Sequence, residues 1–205
     1  MEAERQSVKD NGEGSGGGKK APIRVGAVIA IALLVAFVAW IVIDRSGGDS
    51  ATTATTTTAG PTGATAVGPV AATDKVLSAL ASNAGHVVYW AGPVEGTTPE
   101  FTQTSKDLIY VRYLPAGVAV GTQPLKYLIV ATYPFVDGYN ALKKISNGNG
   151  VEIPGGGFAV VDERQPRSVH FAFPDVDFQG EIFDVTPEKA LEVATSGDIQ
   201  PVPLP

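Results

Sequence analysis

The chain contains no cysteine, no Asn-X-Ser/Thr sequence and only two histidines among its 205 residues. The lack of cysteine excludes disulfide bonds, thiol catalysis, thiolate metal ligands and a lipidated cysteine. A zinc site needs three or four converging ligands, and two distant histidines do not supply them, so no metal ion is predicted. Small eukaryotic ectodomains commonly depend on disulfides. The two absences therefore fit a bacterial envelope protein better than a eukaryotic cell-surface protein.

Basic residues are also scarce. The formal net charge is −6, and residues 74–205 carry 9 Lys and Arg against 15 Asp and Glu. An acidic surface repels phosphate backbones, which excludes nucleic acid as an expected partner. The Pro-Gly-Gly-Gly segment at 154–157 is not followed by the Lys-Ser/Thr of a phosphate-binding loop. It is interpreted as a turn, and no cofactor is predicted.

One long apolar run interrupts this composition. Residues 25–43, from Val25 to Ile43, carry no charge. At about 1.5 Å per residue, a helix of this length spans about 28 Å, close to the bilayer hydrocarbon thickness of about 30 Å. Signal-peptide cores are shorter and end in small residues, whereas this run ends in bulky ones. The run is therefore predicted to be an uncleaved transmembrane helix in contact with the lipid bilayer.

Flanking charges give the direction of this helix. Lys19, Lys20 and Arg24 precede the run, whereas Arg45 alone follows it closely. The positive-inside rule places residues 1–24, a polar and glycine-rich tail predicted to be disordered, in the cytoplasm. The expected location is the cell membrane, with a single pass and an extracellular C-terminal domain.

The next stretch, residues 44–73, is rich in Thr, Ala, Gly and Pro and has no aromatic residue. Such a sequence buries too little apolar surface to offset the entropy that is lost on ordering. It is interpreted as an extracytoplasmic linker, either a bare flexible spacer or an O-glycosylated stalk.

Residues 74–205 alternate like a folded domain. Apolar spacing predicts helices at 74–83, 137–145 and 186–194. Runs rich in β-branched and aromatic residues predict strands at 86–90, 108–114, 126–133, 158–161, 168–173 and 176–183. Short links between successive strands favour antiparallel pairing. The predicted fold is α+β, with a mainly antiparallel sheet and two to three helices packed on one of its faces.

His170 is the strongest candidate for chemistry. It shares a strand face with Ser168, and the polar set of the next strand includes Asp177 and Glu181. If these strands pair, His170 and one of the carboxylates would form an acid–base pair of the kind that a hydrolase uses. The competing interpretation is a solvated sheet face without any catalytic residue. It is favoured because no other catalytic motif is present.

Aromatic and arginine side chains supply the candidate binding residues. Tyr110 and Arg112 fall on one face of a predicted strand, and Trp90 ends the preceding β-rich segment. Trp, Tyr and Arg frequently form binding surfaces. In a domain of this size the same rings commonly belong to the core, and that alternative stays open.

Three segments carry a family resemblance: YWAG at 89–92, YVRYLPAGVAVG at 110–121 and VATYP at 130–134. With these segments the chain resembles a family of uncharacterised actinobacterial membrane-anchored proteins. The resemblance covers residues 85–200 and the order of anchor, linker and domain. It implies a Gram-positive-type envelope, and it transfers no activity and no site residue.

The expected function follows from this architecture. The domain is expected to be non-catalytic and to bind a cell-wall component, a small molecule or another envelope protein. The first alternative is an extracytoplasmic hydrolase that uses His170 with Glu181 or Asp177. A second is a transmembrane regulator that acts through the cytoplasmic tail. The sequence patterns leave the oligomeric state open.

Overall fold

The computed structural model of the chain describes residues 65–122, 126–162 and 164–205. The predicted transmembrane helix, the predicted cytoplasmic tail and most of the predicted linker lie outside these residues. Among the residues that are described, no helix is long and apolar enough to cross a membrane.

Eight strands form one sheet in which every neighbouring pair is antiparallel. In spatial order they are β1 (Val67–Ala71), β3 (Thr97–Gln103), β4 (Ile109–Pro115), β5 (Ile129–Pro134), β9 (Phe178–Phe183), β8 (Gln165–Ala172), β7 (Gly157–Asp162) and β6 (Val151–Ile153). β2 (Tyr89–Trp90) and β10 (Gln200–Pro201) form a separate pair. Two meanders, β3–β4–β5 and β7–β8–β9, therefore meet through their last strands at the centre of the sheet.

In the described part of the chain, three α-helices accompany the sheet: α1 (Asp74–Ala84), α2 (Gly138–Ile145) and α3 (Pro187–Ser196). α1 starts after Thr73, whose hydroxyl accepts a hydrogen bond from the Val76 N–H at 3.4 Å, and it ends at Gly85 in the left-handed conformation. α3 has a proline in its first turn and ends at Gly197, which is also left-handed. These are standard helix start and stop signals. The three predicted helices are confirmed to within one turn.

Side chains alternate between the two faces of the sheet, as the pleat of a strand requires. The front face carries the larger core, which includes Val111, Val130, Phe171 and Ile182. Helices α1 and α3 pack against this core through small and branched residues, namely Leu77, Ala81, Ala190 and Ala194. The front face is therefore the main site of apolar burial.

The back face, which carries Arg112 and Glu181, is covered in part by α2. Leu142 of this helix packs against Phe158 and Ala172. The helices thus lie on both faces of the sheet, and the prediction that they share one face is wrong. The physical reason is that Phe158 and Ala172 point away from the front core, so this apolar patch needs a cover of its own.

The sheet extends further toward the N-terminus than the sequence pattern predicts. β1 lies inside the stretch interpreted as linker, and it pairs with β3 from Val67 opposite Gln103 to Ala71 opposite Glu100. Its sequence, VGPVA, has no strong strand signal because glycine and proline are poor strand formers. The coarser prediction, a mainly antiparallel α+β domain with three helices, is confirmed.

Both outer strands of the sheet are poorly suited to pairing with another chain. β1 contains Pro69, and its register with β3 shifts between Val67 and Val70. β6 has only three residues. Short strands, prolines and irregular register are devices that prevent edge-to-edge association. A partner that adds a strand to this sheet is therefore disfavoured.

Candidate functional site

The pairing of β8 with β9 places His170 directly opposite Glu181 on the back face. The Tyr133 hydroxyl of β5 lies 3.2 Å from Nδ1 of His170. The same hydroxyl accepts a hydrogen bond from Nε2 of Gln179 at 3.0 Å. Tyr133, His170, Gln179 and Glu181 therefore form one group, called the polar cluster below.

The polar cluster is shielded from solvent. His170 is 7% exposed, Gln179 is 3% exposed, and Tyr133 and Glu181 are each 2% exposed. The first residue of α2 lies over Gln179, since a Cβ atom built on Gly138 would be 3.6 Å from the Cβ of Gln179. The interpretation of this face as solvated is wrong. Local alternation gives the polarity of a strand face, whereas burial depends on elements that are distant in sequence, such as α2 over Gln179.

Burial changes the acid–base properties of the cluster. It raises the pKa of Glu181, and the nearby His170 and Ser168 act more weakly in the opposite direction. Burial, followed by the charge of Glu181, also raises the pKa of Tyr133 well above its usual value. An uncharged carboxyl group is favoured in such surroundings because an ionised one would lose its hydration.

Because the pKa of Glu181 is raised, we expect the stability of wild-type protein, compared with a Glu181→Gln variant, to depend on pH. The stability that a raised pKa contributes is present below the unfolded-state pKa and is lost as the pH rises through the folded-state pKa. Wild-type protein should therefore lose stability between about pH 4 and about pH 7 relative to the Gln variant. Denaturant midpoints at the two pH values measure the difference.

The matched control for this prediction is Glu188→Gln, which removes the same charge from an exposed position on α3. The control should show no comparable gain at the higher pH. Equal pH profiles for wild type and Glu181→Gln would show that the buried carboxyl is not destabilised by ionisation.

Asp177, the alternative partner of His170, does not belong to the polar cluster. It is exposed in the turn before β9, and its Oδ1 accepts a hydrogen bond from the backbone N–H of Asp137 at 3.0 Å. Asp177 is thus tied to the start of α2. Of the two carboxylates that the sequence suggested, Glu181 faces His170 across the strands and Asp177 does not.

Arg112 forms a second buried polar group on the same face. Its Nη2 lies 2.7 Å from Oε1 of Glu100, and its Nε donates to the same oxygen at 2.9 Å. Nη1 donates to the carbonyl oxygen of Thr122 at 2.7 Å, and the other Glu100 oxygen accepts from the Gly121 N–H. The ion pair therefore connects β3 and β4 to the loop that leaves β4.

The three candidate binding residues do not form a surface patch. Trp90 is 4% exposed and belongs to the front core, whereas Tyr110 and Arg112 lie on the back face and are 3% and 2% exposed. Tyr110 and Arg112 share one strand face, as the alternation predicts. Glu100, which the sequence pattern did not single out, is the residue that explains the position of Arg112.

Two shallow clefts on the surface of the described residues are considered as candidate binding sites. The first, of about 490 Å³, lies between the start of α2 and the β8–β9 turn and is lined by Asp137, Tyr139, Asn140 and 174–177. The second, of about 300 Å³, is here called the α3 cleft and is lined by Ala91, Pro93, Val94, Leu128, Lys189, Glu192, Val193, Ser196 and Asp198. No member of the polar cluster lines either cleft.

In the described part of the chain, no three His, Asp or Glu side chains converge into a group that could hold a metal ion. No protein-family model, no curated protein and no solved structure matches the chain.

Proposed function

We propose that the chain is a single-pass membrane-anchored envelope protein whose C-terminal domain is a non-catalytic binding module. The resemblance to uncharacterised actinobacterial membrane-anchored proteins is part of this proposal and indicates a Gram-positive-type envelope. The partner is a cell-wall component, a small molecule or another envelope protein.

The observation that carries the proposal is the burial of the polar cluster. A general acid or base must come within hydrogen-bond distance of a substrate, directly or through one water molecule. His170 and Glu181 are at most 7% exposed, and the Tyr133 hydroxyl lies between His170 and Gln179. Such a group is suited to fixing the packing of three central strands rather than to receiving a substrate.

The α3 cleft is the surface that best supports binding. Its floor is apolar, with Ala91 and Leu128 buried, and its rim carries Lys189, Glu192 and Asp198. An apolar floor with a few polar groups is the usual composition of a recognition site. Since both outer strands of the sheet are poorly suited to pairing with another chain, a partner would contact side chains rather than add a strand.

A photo-crosslinking residue placed at Glu192 in the full-length, membrane-inserted chain tests this proposal. It should give a discrete adduct with one envelope component. The matched control replaces Glu152, an exposed glutamate on β6 outside both clefts. Adducts of equal yield and composition at both positions would remove the support for the α3 cleft.

The second candidate function is an extracytoplasmic hydrolase. The observation in its favour is that His170 and Glu181 face each other in register and that burial raises the pKa of Glu181. Incubation of the detergent-solubilised chain with purified peptidoglycan separates the two functions. Release of soluble fragments that Glu181→Gln abolishes and Glu188→Gln preserves would establish the hydrolase. Sedimentation with the polymer without release supports the binding module.

The proposed topology has its own test. The basic residues before Val25 predict that the C-terminal domain lies outside the cell. Protease added to intact cells should therefore remove the domain, while a cytoplasmic marker protein stays intact. A domain that resists digestion until the cells are lysed would contradict the topology.

A further inference from the structure

The segment that follows α2 contains two Asn-Gly pairs, at 147–148 and 149–150. We propose that Asn147 is a site of spontaneous deamidation, a modification that changes the end of α2. The chemistry requires no enzyme, so the proposal is independent of the binding partner.

Asn147 and Gly148 are both open to solvent. A Cβ atom placed on Gly148 would meet no atom within 4 Å, so no side chain hinders its backbone nitrogen. The Gly148 N–H has only a long contact of 3.3 Å with the Ser146 hydroxyl. Asn147 and Gly148 both have positive φ angles, of 49° and 89°. The nucleophile and the side-chain amide are thus adjacent, exposed and weakly restrained.

The reaction proceeds in two balanced steps. The backbone nitrogen of Gly148 loses its proton to solvent and attacks Cγ of Asn147; the N–Cγ bond forms, the Cγ–Nδ2 bond breaks, and ammonia leaves with a proton from water. The resulting succinimide then adds one water molecule. Opening at Cγ gives aspartate, and opening at the main-chain carbonyl gives isoaspartate, in which the backbone runs through the side chain.

Within the described residues, the structure hinders the same reaction at the three other asparagines. Asn83 and Asn140 lie inside α1 and α2, and their backbone must open locally before a ring can close. Asn149 is exposed, but the glycine after it is packed closely, since a Cβ atom on Gly150 would lie 2.2 Å from Cζ of Phe158. Ring closure at Asn149 would have to move this backbone against the aromatic ring.

Modification of Asn147 would weaken the end of α2 in two ways. The Asn149 N–H donates to the Ser146 carbonyl oxygen at 2.8 Å, and isoaspartate inserts an extra backbone carbon into this turn. Either product also places a carboxylate just beyond the C-terminus of the helix, where the partial negative charge of the helix repels it. Leu142, in the second half of α2, packs against Phe158 and Ala172, so loosening this end of the helix would weaken its packing on the back face.

To test this proposal, the full-length chain is stored in mildly alkaline buffer at body temperature. Peptide mapping then measures the extent of deamidation at each asparagine. Peptides that contain Asn147 should gain the mass difference between an amide and an acid, with aspartate and isoaspartate products separated by chromatography. Asn83 and Asn140 should react at least about tenfold more slowly, because their helices must open first. Asn149 should also lag behind Asn147.

Two variants make the test specific. Asn147→Gly keeps a residue that accepts the positive φ and should abolish the modification, whereas Asn149→Gly should leave the rate at Asn147 unchanged. The stored wild type should also show a lower denaturant midpoint than fresh protein, and stored Asn147→Gly should not. An unmodified Asn147 after storage, or equal rates at Asn147 and Asn140, would overturn the proposal.

Discussion

Replacing Arg112 with Met is expected to destabilise the domain by about 3–5 kcal/mol, the usual effect of removing one partner of a buried ion pair. Glu100 and Arg112 are each 2% exposed, so the remaining carboxylate would be left in the interior without its counter-charge. An exposed pair would give about 0–1 kcal/mol instead. The measured value therefore distinguishes a buried ion pair from a surface one.

Loss of Arg112 should also release the loop that follows β4. Arg112 donates to the Thr122 carbonyl oxygen, and Glu100 accepts from the Gly121 N–H. Without the guanidinium group, this loop keeps only the second of these contacts, so residues 116–122 should become more sensitive to proteases. Urea unfolding and limited proteolysis of the same variant measure the two effects.

The control is the double variant Glu100→Gln with Arg112→Met. It removes the unpaired charge and keeps a side-chain oxygen that can accept from Gly121. The double variant should therefore be more stable than Arg112→Met alone, because it leaves no uncompensated buried charge. If Arg112→Met lowers the free energy of unfolding by less than about 1 kcal/mol, the ion pair contributes no more than an exposed one.

This ion pair illustrates what the sequence could not reveal. The alternation in LIYVRYL correctly places Tyr110 and Arg112 on one face. The charge of Arg112 suggested solvent or a ligand, because nothing local indicates that Glu100 lies across the neighbouring strand in register. β3 itself, with the sequence TTPEFTQ, was not predicted, since a buried glutamate interrupts the apolar pattern by which buried strands are found. Glu100 and Arg112 can each be buried only because the other neutralises its charge.

The polar cluster could likewise be predicted only in part from the sequence. The facing of His170 and Glu181 could be predicted once β8 and β9 were paired, because register follows from the strand pattern. The burial of their face could not, since it depends on contacts between elements that are distant in sequence, such as α2 over Gln179. Helix ends were easier to predict, because the signals at Gly85, Pro187 and Gly197 are local.

Replacing Gly180 with Ala is the second change with a large expected effect. Gly180 lies directly opposite Phe171, and a Cβ atom built on it would be 2.0 Å from Cζ of the ring. The ring occupies the space that a side chain at 180 would need, which is the known pairing of an aromatic residue with a glycine on a neighbouring strand. Overpacking of this kind costs about 1–3 kcal/mol.

Phe171 has little freedom to move away from a new methyl group. It is fully buried, and its ring packs edge-on against Tyr89 at 5.2 Å and against Phe173 at 6.1 Å between centroids. Both neighbours belong to the aromatic part of the front core, so a shift of the ring would disturb the packing of β2 against the sheet. The cost should therefore lie toward the upper end of the range.

Gly68→Ala is the matched control, because a Cβ atom at this strand position meets no atom within 4 Å and the glycine has no positive φ. The control should be neutral or slightly stabilising, by about 0.4–1 kcal/mol, since alanine restricts the unfolded chain. In a Phe171→Leu background the same Gly180→Ala change should cost less, because the smaller side chain leaves room. Equal costs of Gly180→Ala in the two backgrounds would show that the ring is not the obstacle, and the double-mutant cycle measures this difference directly.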